Sequence, residues 1–369
     1  MTDPTVGEVG RRAPGAGTGT AHPPEAQPDR PLRVVPWSDG ASWDRFVTGA
    51  QEATSAHLWG WKQVMEHAYG HRTSYLAAVE GDEVLGVLPL VWVKSRIFGR
   101  HLVSMPFLDY GGLCTGRRPD VERVLLDHAV GLAEEGRAVL QLRHVENRAE
   151  GLPRSLDKVT MLLELGTDEE LLWQSLRSNK RRDVRKGRKL GLEALIRGEE
   201  ALADFYGVWS TNMRDLGSPP HSKRFFAELM SSFGEQARLI VVRLGERPIG
   251  AGLILLHRDT ISVPWSSSLR EFFSHRPNMS LYWEAMRYGI EHGYRTFDFG
   301  RSSPGSGTFQ FKHEWGARQV QLHWHYHPEG SGPPDDSVTR HSWAVRLWKR
   351  VPVGLANIIG PRLRRVIPN

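Results

Sequence analysis

Hydrophobic and polar positions change period along the chain, and each change predicts an element. The stretch SYLAAVEGDEVLGVLPLVWV, residues 74–93, sets apolar runs on either side of a glycine-bearing turn, the pattern of strand, turn and strand. ARLIVVRLGERPIGAGLILLH, residues 237–257, reads the same way, with Gly81 and Gly86 matched by Gly245 and Gly250 at an offset of 164. Farther along, VERVLLDHAVGLAEEG has a helical period and leads into the strand RAVLQLRH; MSLYWEAMRYGIEHG leads likewise into YRTFDFGR. Gly136 and Gly293 take corresponding helix-ending positions at an offset of 157. Two units of hairpin, strand, helix and strand predict mixed sheets covered by helices, an α/β or α+β fold.

The 369 residues suffice for two domain-sized cores. Residues 1–30 mix Pro, Gly, Thr and Ala without period and predict a disordered tail. The expected organisation is that tail, units over 31–165 and 166–330, and a basic amphipathic segment over 331–369. The longest apolar run, residues 84–93, is broken by Pro89 and followed by Lys94, short of the roughly 18 residues of a membrane span. The single cysteine, Cys114, excludes an intramolecular disulfide framework, and no secretory leader pattern opens the chain, so the expected location is the cytoplasm.

Charge refines this picture only locally. The formal net charge is +6; residues 1–30 carry −1 and residues 331–369 carry +5, leaving +2 for the body. Two segments hold the basic residues together. RSNKRRDVRKGRKLG, residues 177–191, contains Arg181, Arg182 and Arg185 among eight basic side chains with one acid opposing them, a candidate phosphate-binding surface. RHSWAVRLWKRVPVGLANIIGPRLRRVIPN interleaves Trp343, Leu347, Trp348 and Ile358 with arginines, which suits either a membrane surface or docking onto the body.

The candidate chemistry lies in HGYRTFDFGRSSPGSGTFQFKHEWG, residues 292–316. Alternation puts Phe297 and Phe299 on one strand face and Asp298 and Gly300 on the other; after a glycine-rich loop, a second strand is expected to carry Lys312 opposite Phe309 and Phe311. An ammonium aimed from a rigid element, beside glycines that let a substrate approach the backbone, suits stabilisation of an acyl oxyanion. Asp298 and Arg301 bracket the strand end, as binders of an amine and an anion or as one ion pair. Cys114 has no activating context for a nucleophile.

HLWGWKQVMEHAYGH, GVLPLVWVKSRIFGRHLVSMPFLDYGG, SNKRRDVRKGRKLGL, VPWSSSLREFF, PNMSLYWEA and FDFGRSSPGSGTFQFKHEWGA resemble FemAB-related proteins of the Fem family of acyltransferases, notably those associated with exosortase and exopolysaccharide systems. The resemblance spans about residues 35–327. It implies two tandem GNAT-like domains and transfer of an activated acyl or aminoacyl group to an amine of a cell-envelope precursor, of peptidoglycan or exopolysaccharide. It also implies that Lys312 acts at the acyl ester or its tetrahedral intermediate, and that PFLDYGG binds substrate; ahead of two glycines, Asp109 beside Tyr110 suits binding the amine and accepting its proton, or a turn in which the aspartate bonds nearby backbone groups.

No tightly bound cofactor or metal is expected; the donor is aminoacyl-tRNA or acyl-CoA. Arg301 with Gly305-Ser306-Gly307 is one residue too long for the usual Q/R-x-x-G-x-G/A pyrophosphate loop of CoA-dependent GNAT enzymes, which disfavours CoA. His57 and Trp61, four apart on an expected helix, are a substrate wall or a docking face. Asn278 caps a helix or faces substrate, and Trp265 and Tyr282 are further lining candidates. His323, His325 and His327 alternate onto one face without a carboxylate to complete a metal site. The expected setting is cytoplasmic, peripheral at the inner face of the membrane, with charged tRNA as a further partner. The competing readings are a non-catalytic membrane-peripheral component of exopolysaccharide assembly and a phosphate- or nucleic-acid-binding protein.

Overall fold

Both hairpins that the sequence patterns predict form, and each starts a sheet. In the computed structural model, residues 31–332 and 342–368 are described together with Met1. The rest of the expected 1–30 tail, and part of the 331–369 segment, lie outside the described residues. In chain order the strands are β1 (Arg33–Pro36), β2 (Arg72–Glu80), β3 (Glu83–Ser95), β4 (Gly99–Ser104), β5 (Val139–His144), β6 (Arg154–Ser155) and β7 (Val159–Glu164). Then follow β8 (Leu192–Arg197), β9 (Ala237–Leu244), β10 (Arg247–His257), β11 (Thr260–Ser268), β12 (Thr296–Ser302), β13 (Arg318–Gln321) and β14 (His323–His327).

Two seven-stranded sheets result, in the orders β1-β2-β3-β4-β5-β14-β6 and β8-β9-β10-β11-β12-β7-β13. The orders correspond position by position, and in each sheet a single pair is parallel, β4 with β5 and β11 with β12. The sheets also trade strands. β7, from the first half of the chain, pairs with β12, and β14, from the second half, pairs with β5. The division at residue 165 therefore follows the repeat in sequence but not the membership of the sheets.

Helices cover the sheets where the chain supplies small residues for close approach. A Cβ on Gly86 would lie 2.4 Å from Val121 of the helix Pro119–Glu135, and one on Gly250 would lie 3.1 Å from Pro277 of the helix Pro277–Glu291. The matched glycines thus do the same work in both halves, seating the crossover helix against the middle of a hairpin. A third apolar layer joins the halves: Trp43, Trp61 and Met65 pack in one core with Phe205, Trp209, Phe225 and Phe226. Burial of this much aromatic surface makes the described residues from Leu32 onward one compact unit.

The segment 331–369 is not an independent tail where it is described. It forms helices Ser342–Trp348 and Val353–Arg364, and the second packs Ala356 and Gly360 onto the body. A Cβ on Gly360 would lie 2.4 Å from Pro220. No helix among the described residues is long and apolar enough to cross a membrane.

Candidate active site

The parallel strands β11 and β12 pair only over Thr260–Ser262 and Thr296–Asp298, then part. Beyond that point β11 carries Pro264 and Trp265, β12 carries Phe299, Gly300 and Arg301, and the gap between them opens a cavity of about 230 Å³. Alternation works as expected on β12: Phe297 and Phe299 are buried in the core, while Asp298 and Gly300 face the cavity. Asp109 and Tyr110 enter from the loop after β4, and Lys312 and Arg364 complete the wall.

Lys312 arrives on a helix rather than on the expected second strand. Residues Gly307–His313 are helical, capped by Ser306, whose hydroxyl accepts from Phe309 N at 3.2 Å. The run FQFKHEW satisfies both periods, and the local cap, together with Phe311 packing one turn from Trp315, settles it as helix. Lys312 Nζ donates to Gly300 O at 2.9 Å and Arg301 O at 2.8 Å. Two of its three N–H bonds are thereby fixed, leaving one for a ligand in the cavity. Burial lowers its pKa to about 8, against the opposing pull of Asp109 and Asp298. It stays mostly protonated at neutral pH.

Asp298 is the most deeply held acid of the site. Its Oδ1 accepts from Thr160 Oγ1 at 3.0 Å and Gly300 N at 2.8 Å, and its Oδ2 from the Tyr110 hydroxyl. Burial raises its pKa in spite of these donors, and burial with the Asp298 charge raises that of Tyr110. Asp109 is engaged differently: its carboxylate accepts from Arg301 N at 2.8 Å and forms an ion pair with Arg301 Nε at 3.2 Å. The sequence offered an Asp298–Arg301 pair; among the described residues Arg301 pairs with Asp109, brought across from the other half. The guanidinium groups of Arg301 and Arg143 both lie over the Trp324 ring, at 5.0 and 4.4 Å from its centroid.

The remaining candidates divide clearly. Trp265 lines the cavity. His57 lies in a neighbouring cavity of about 420 Å³ that shares Tyr110 and Asp298 with the first, and burial lowers its pKa to about 4. Trp61 is fully buried against Phe233 and belongs to the core. Tyr282 packs on Phe299 and Phe311, behind the cavity wall, with its hydroxyl 3.0 Å from Ser266 Oγ. Asn278 does not cap its helix, whose N-cap is Arg276; its Oδ1 accepts from Ser268 Oγ at 2.6 Å and ties down the end of β11.

Arg181, Arg182 and Arg185 lie on the helix Ser178–Lys189, outside both cavities. Arg185 lies over Trp173, and Lys180 of the same helix is buried, paired with Glu314 at 2.8 Å. Among the three strand histidines, His325 turns to His144 at 3.3 Å and His327 to Glu134 at 3.0 Å. Cys114 is buried and its thiol pKa is raised by that burial, which makes it inert.

Three residues that hold or line the site were not evident from the sequence. Thr160 reaches Asp298 through the exchanged strand β7, Trp324 reaches Arg301 through β14, and Arg364 comes from the C-terminal helix. Arg364 Nε approaches His221 Nε2 at 3.3 Å and its guanidinium lies over Phe107 at 5.2 Å, with no carboxylate in ion-pair range among the described residues. Burial, with Arg301 nearby, lowers its pKa to about 10.

Residues 174–313 match the acetyltransferase (GNAT) domain family. No curated protein matches the chain by sequence. Among solved structures, the chain is similar to FemX (TM-score 0.63, 16% identity, covering 79% of this chain and 96% of that one). It is also similar to the C-terminal domain of a putative lysylphosphatidylglycerol synthetase from Agrobacterium fabrum (TM-score 0.55, 10% identity, 83% and 93% covered). A tandem GNAT protein of the clavulanic acid biosynthesis pathway matches with TM-score 0.52 and 12% identity, over 82% of this chain and 100% of that one. The fold is that of two GNAT units in tandem.

Proposed function

We propose that the chain is an N-acyltransferase whose second cleft joins an activated acyl or aminoacyl group to an amine of a cell-envelope precursor. The observation that carries this reading is the meeting of the Lys312 ammonium with the buried Tyr110–Asp298 pair where β11 and β12 part. The amine nitrogen attacks the acyl carbonyl carbon, forming the C–N bond and moving the carbonyl pair onto oxygen. The third N–H of Lys312 stabilises that oxyanion in the cavity. The proton shed by the amine passes to Tyr110 as Tyr110 gives its own to Asp298, whose raised pKa suits it to hold one. Collapse of the intermediate breaks the ester C–O or thioester C–S bond, and the leaving group takes up the proton.

For the donor, aminoacyl-tRNA is favoured over acyl-CoA by the long spacing from Arg301 to Gly305. The exposed basic row on the helix Ser178–Lys189 gives a polyanionic donor a surface outside the cleft. Arg364 supplies a cation for an anionic group of the acceptor inside it.

The test is transfer of labelled acyl groups from aminoacyl-tRNA or acyl-CoA to extracted amine-bearing envelope precursors. A mass increase with wild-type protein that vanishes with folded Lys312→Met supports the reading. Transfer by Lys312→Met at the wild-type rate overturns it.

A further inference from the structure

The helix Val353–Arg364 is docked with its apolar side outward. Its inner face is Ala356, Gly360 and Arg364, four residues apart, and its outer face carries Leu355, Ile358, Ile359 and Leu363. Ile358 is 60% exposed, and on the preceding helix Ser342–Trp348, Trp343 is 64% and Leu347 59% exposed. A helix on a globular surface normally turns its large aliphatic residues inward; here small residues make the protein contact and the large ones are left unpartnered among the described residues. The placement is fixed rather than loose, because Arg214 Nη1 donates to Val351 O at 3.0 Å and Arg143 Nη2 to Pro368 O at 2.8 Å.

Charge identifies the occupant. Residues 342–368 contain no Asp or Glu, and Arg346, Lys349, Arg350, Arg362 and Arg365 are all exposed around the apolar residues. We infer that these two helices form a docking surface for an anionic phospholipid bilayer, lying in its interface with aliphatic and indole groups among the acyl chains and the cations at the headgroups. A second copy of the chain would bring two such cationic patches together, which repels, and a polyanion such as RNA has no use for exposed isoleucines and leucines. The same helix carries Arg364 into the cleft, so one side of it faces lipid and the other faces the reacting groups, about one helix diameter away. The surface therefore delivers the cleft to the membrane, where an acceptor held in lipid is met.

Flotation of the full chain with vesicles tests this without substrate or turnover, so its outcome is separate from that of the acyl-transfer reading. The protein is expected to float with phosphatidylcholine vesicles containing phosphatidylglycerol, weakly with phosphatidylcholine alone, and less as salt rises. Ile358→Glu/Ile359→Glu is expected to lower partitioning about tenfold or more. Lys349→Glu/Arg362→Glu, which leaves the apolar face intact, is expected to lower it about tenfold. Ile97→Glu, an exposed isoleucine elsewhere, leaves it unchanged. Equal flotation of either double variant, at matched melting temperature, overturns the inference. So does failure of the wild-type protein to float, whether or not it dimerises or binds RNA through these helices.

Discussion

The two halves open the same gap between parallel strands and then treat it in opposite ways. In the first half the last residue of β5 paired with β4 is Gln141, and two positions on stands Arg143; in the second half the same places on β12, relative to β11, hold Asp298 and Gly300. Arg143 Nη1 donates to Leu108 O at 2.6 Å, so its fully buried guanidinium ties β5 to the loop after β4. Gln141 is consumed by Tyr326, 3.3 Å away on the exchanged strand. In the second half a glycine leaves the gap open, an acid replaces the amide, and the glycine carbonyl holds Lys312. The lesson is a division of labour: the first copy sets a buried cation across its gap, on the wall of the cavity of about 420 Å³, and lends Asp109 and Tyr110 to the second cleft.

Substitutions at the matched places break or sharpen this contrast. Asp298→Asn should lower transfer by about 10²–10⁴-fold, because the amide cannot take the proton, whereas Gln141→Leu should leave kcat within about threefold once stability is matched; single-turnover rates decide. Lys312→Met should cost about 10²–10³-fold in kcat. For wild type, kcat should fall as pH rises through about 8, where the Lys312 ammonium is lost; Lys312→Arg should retain part of the rate and shift that limb upward. An unchanged limb in Lys312→Arg would assign it to another group.

Filling the open gap should have a smaller effect that melting reports. Gly300 has φ +70°, and a Cβ there would lie 3.1 Å from Asp109 Oδ2, so Gly300→Ala should cost about 1–2 kcal/mol and loosen the Asp109–Arg301 contact. Smallest in kcat is Arg181→Glu/Arg182→Glu/Arg185→Glu: turnover at saturation should hold while the KM for a tRNA donor rises about tenfold and its salt dependence flattens. A KM unchanged for tRNA would remove that helix from donor binding.

The duplication was legible because period and glycine placement are local properties. Gly86 and Gly250 stand at one offset and each admits its crossover helix. The cluster of Asp298, Arg301 and Lys312 was legible for the same reason, lying within 15 residues of chain. What could not be read was partnership across the exchange. Nothing in VTMLLE or HWHYH states that each strand joins the other half's sheet, so Thr160 and Trp324 were invisible as site residues. Arg364 was hidden among basic neighbours that look solvated; the Ala356 and Gly360 spacing, which marks a close-packed helix face, was the available signal. Lys312 was placed on the wrong element because FQFKHEW fits both periods and the Ser306 cap decides between them.

On the proposed function, acyl transfer takes place in the second cleft and not at the first gap. Its most direct test is the single-turnover rate of acyl transfer to an amine-bearing envelope precursor, measured side by side for Asp298→Asn and Gln141→Leu at matched folding. Transfer should be lost in the first variant and stay near wild type in the second. Equal rates in the two variants, or loss in Gln141→Leu with transfer retained in Asp298→Asn, would contradict it.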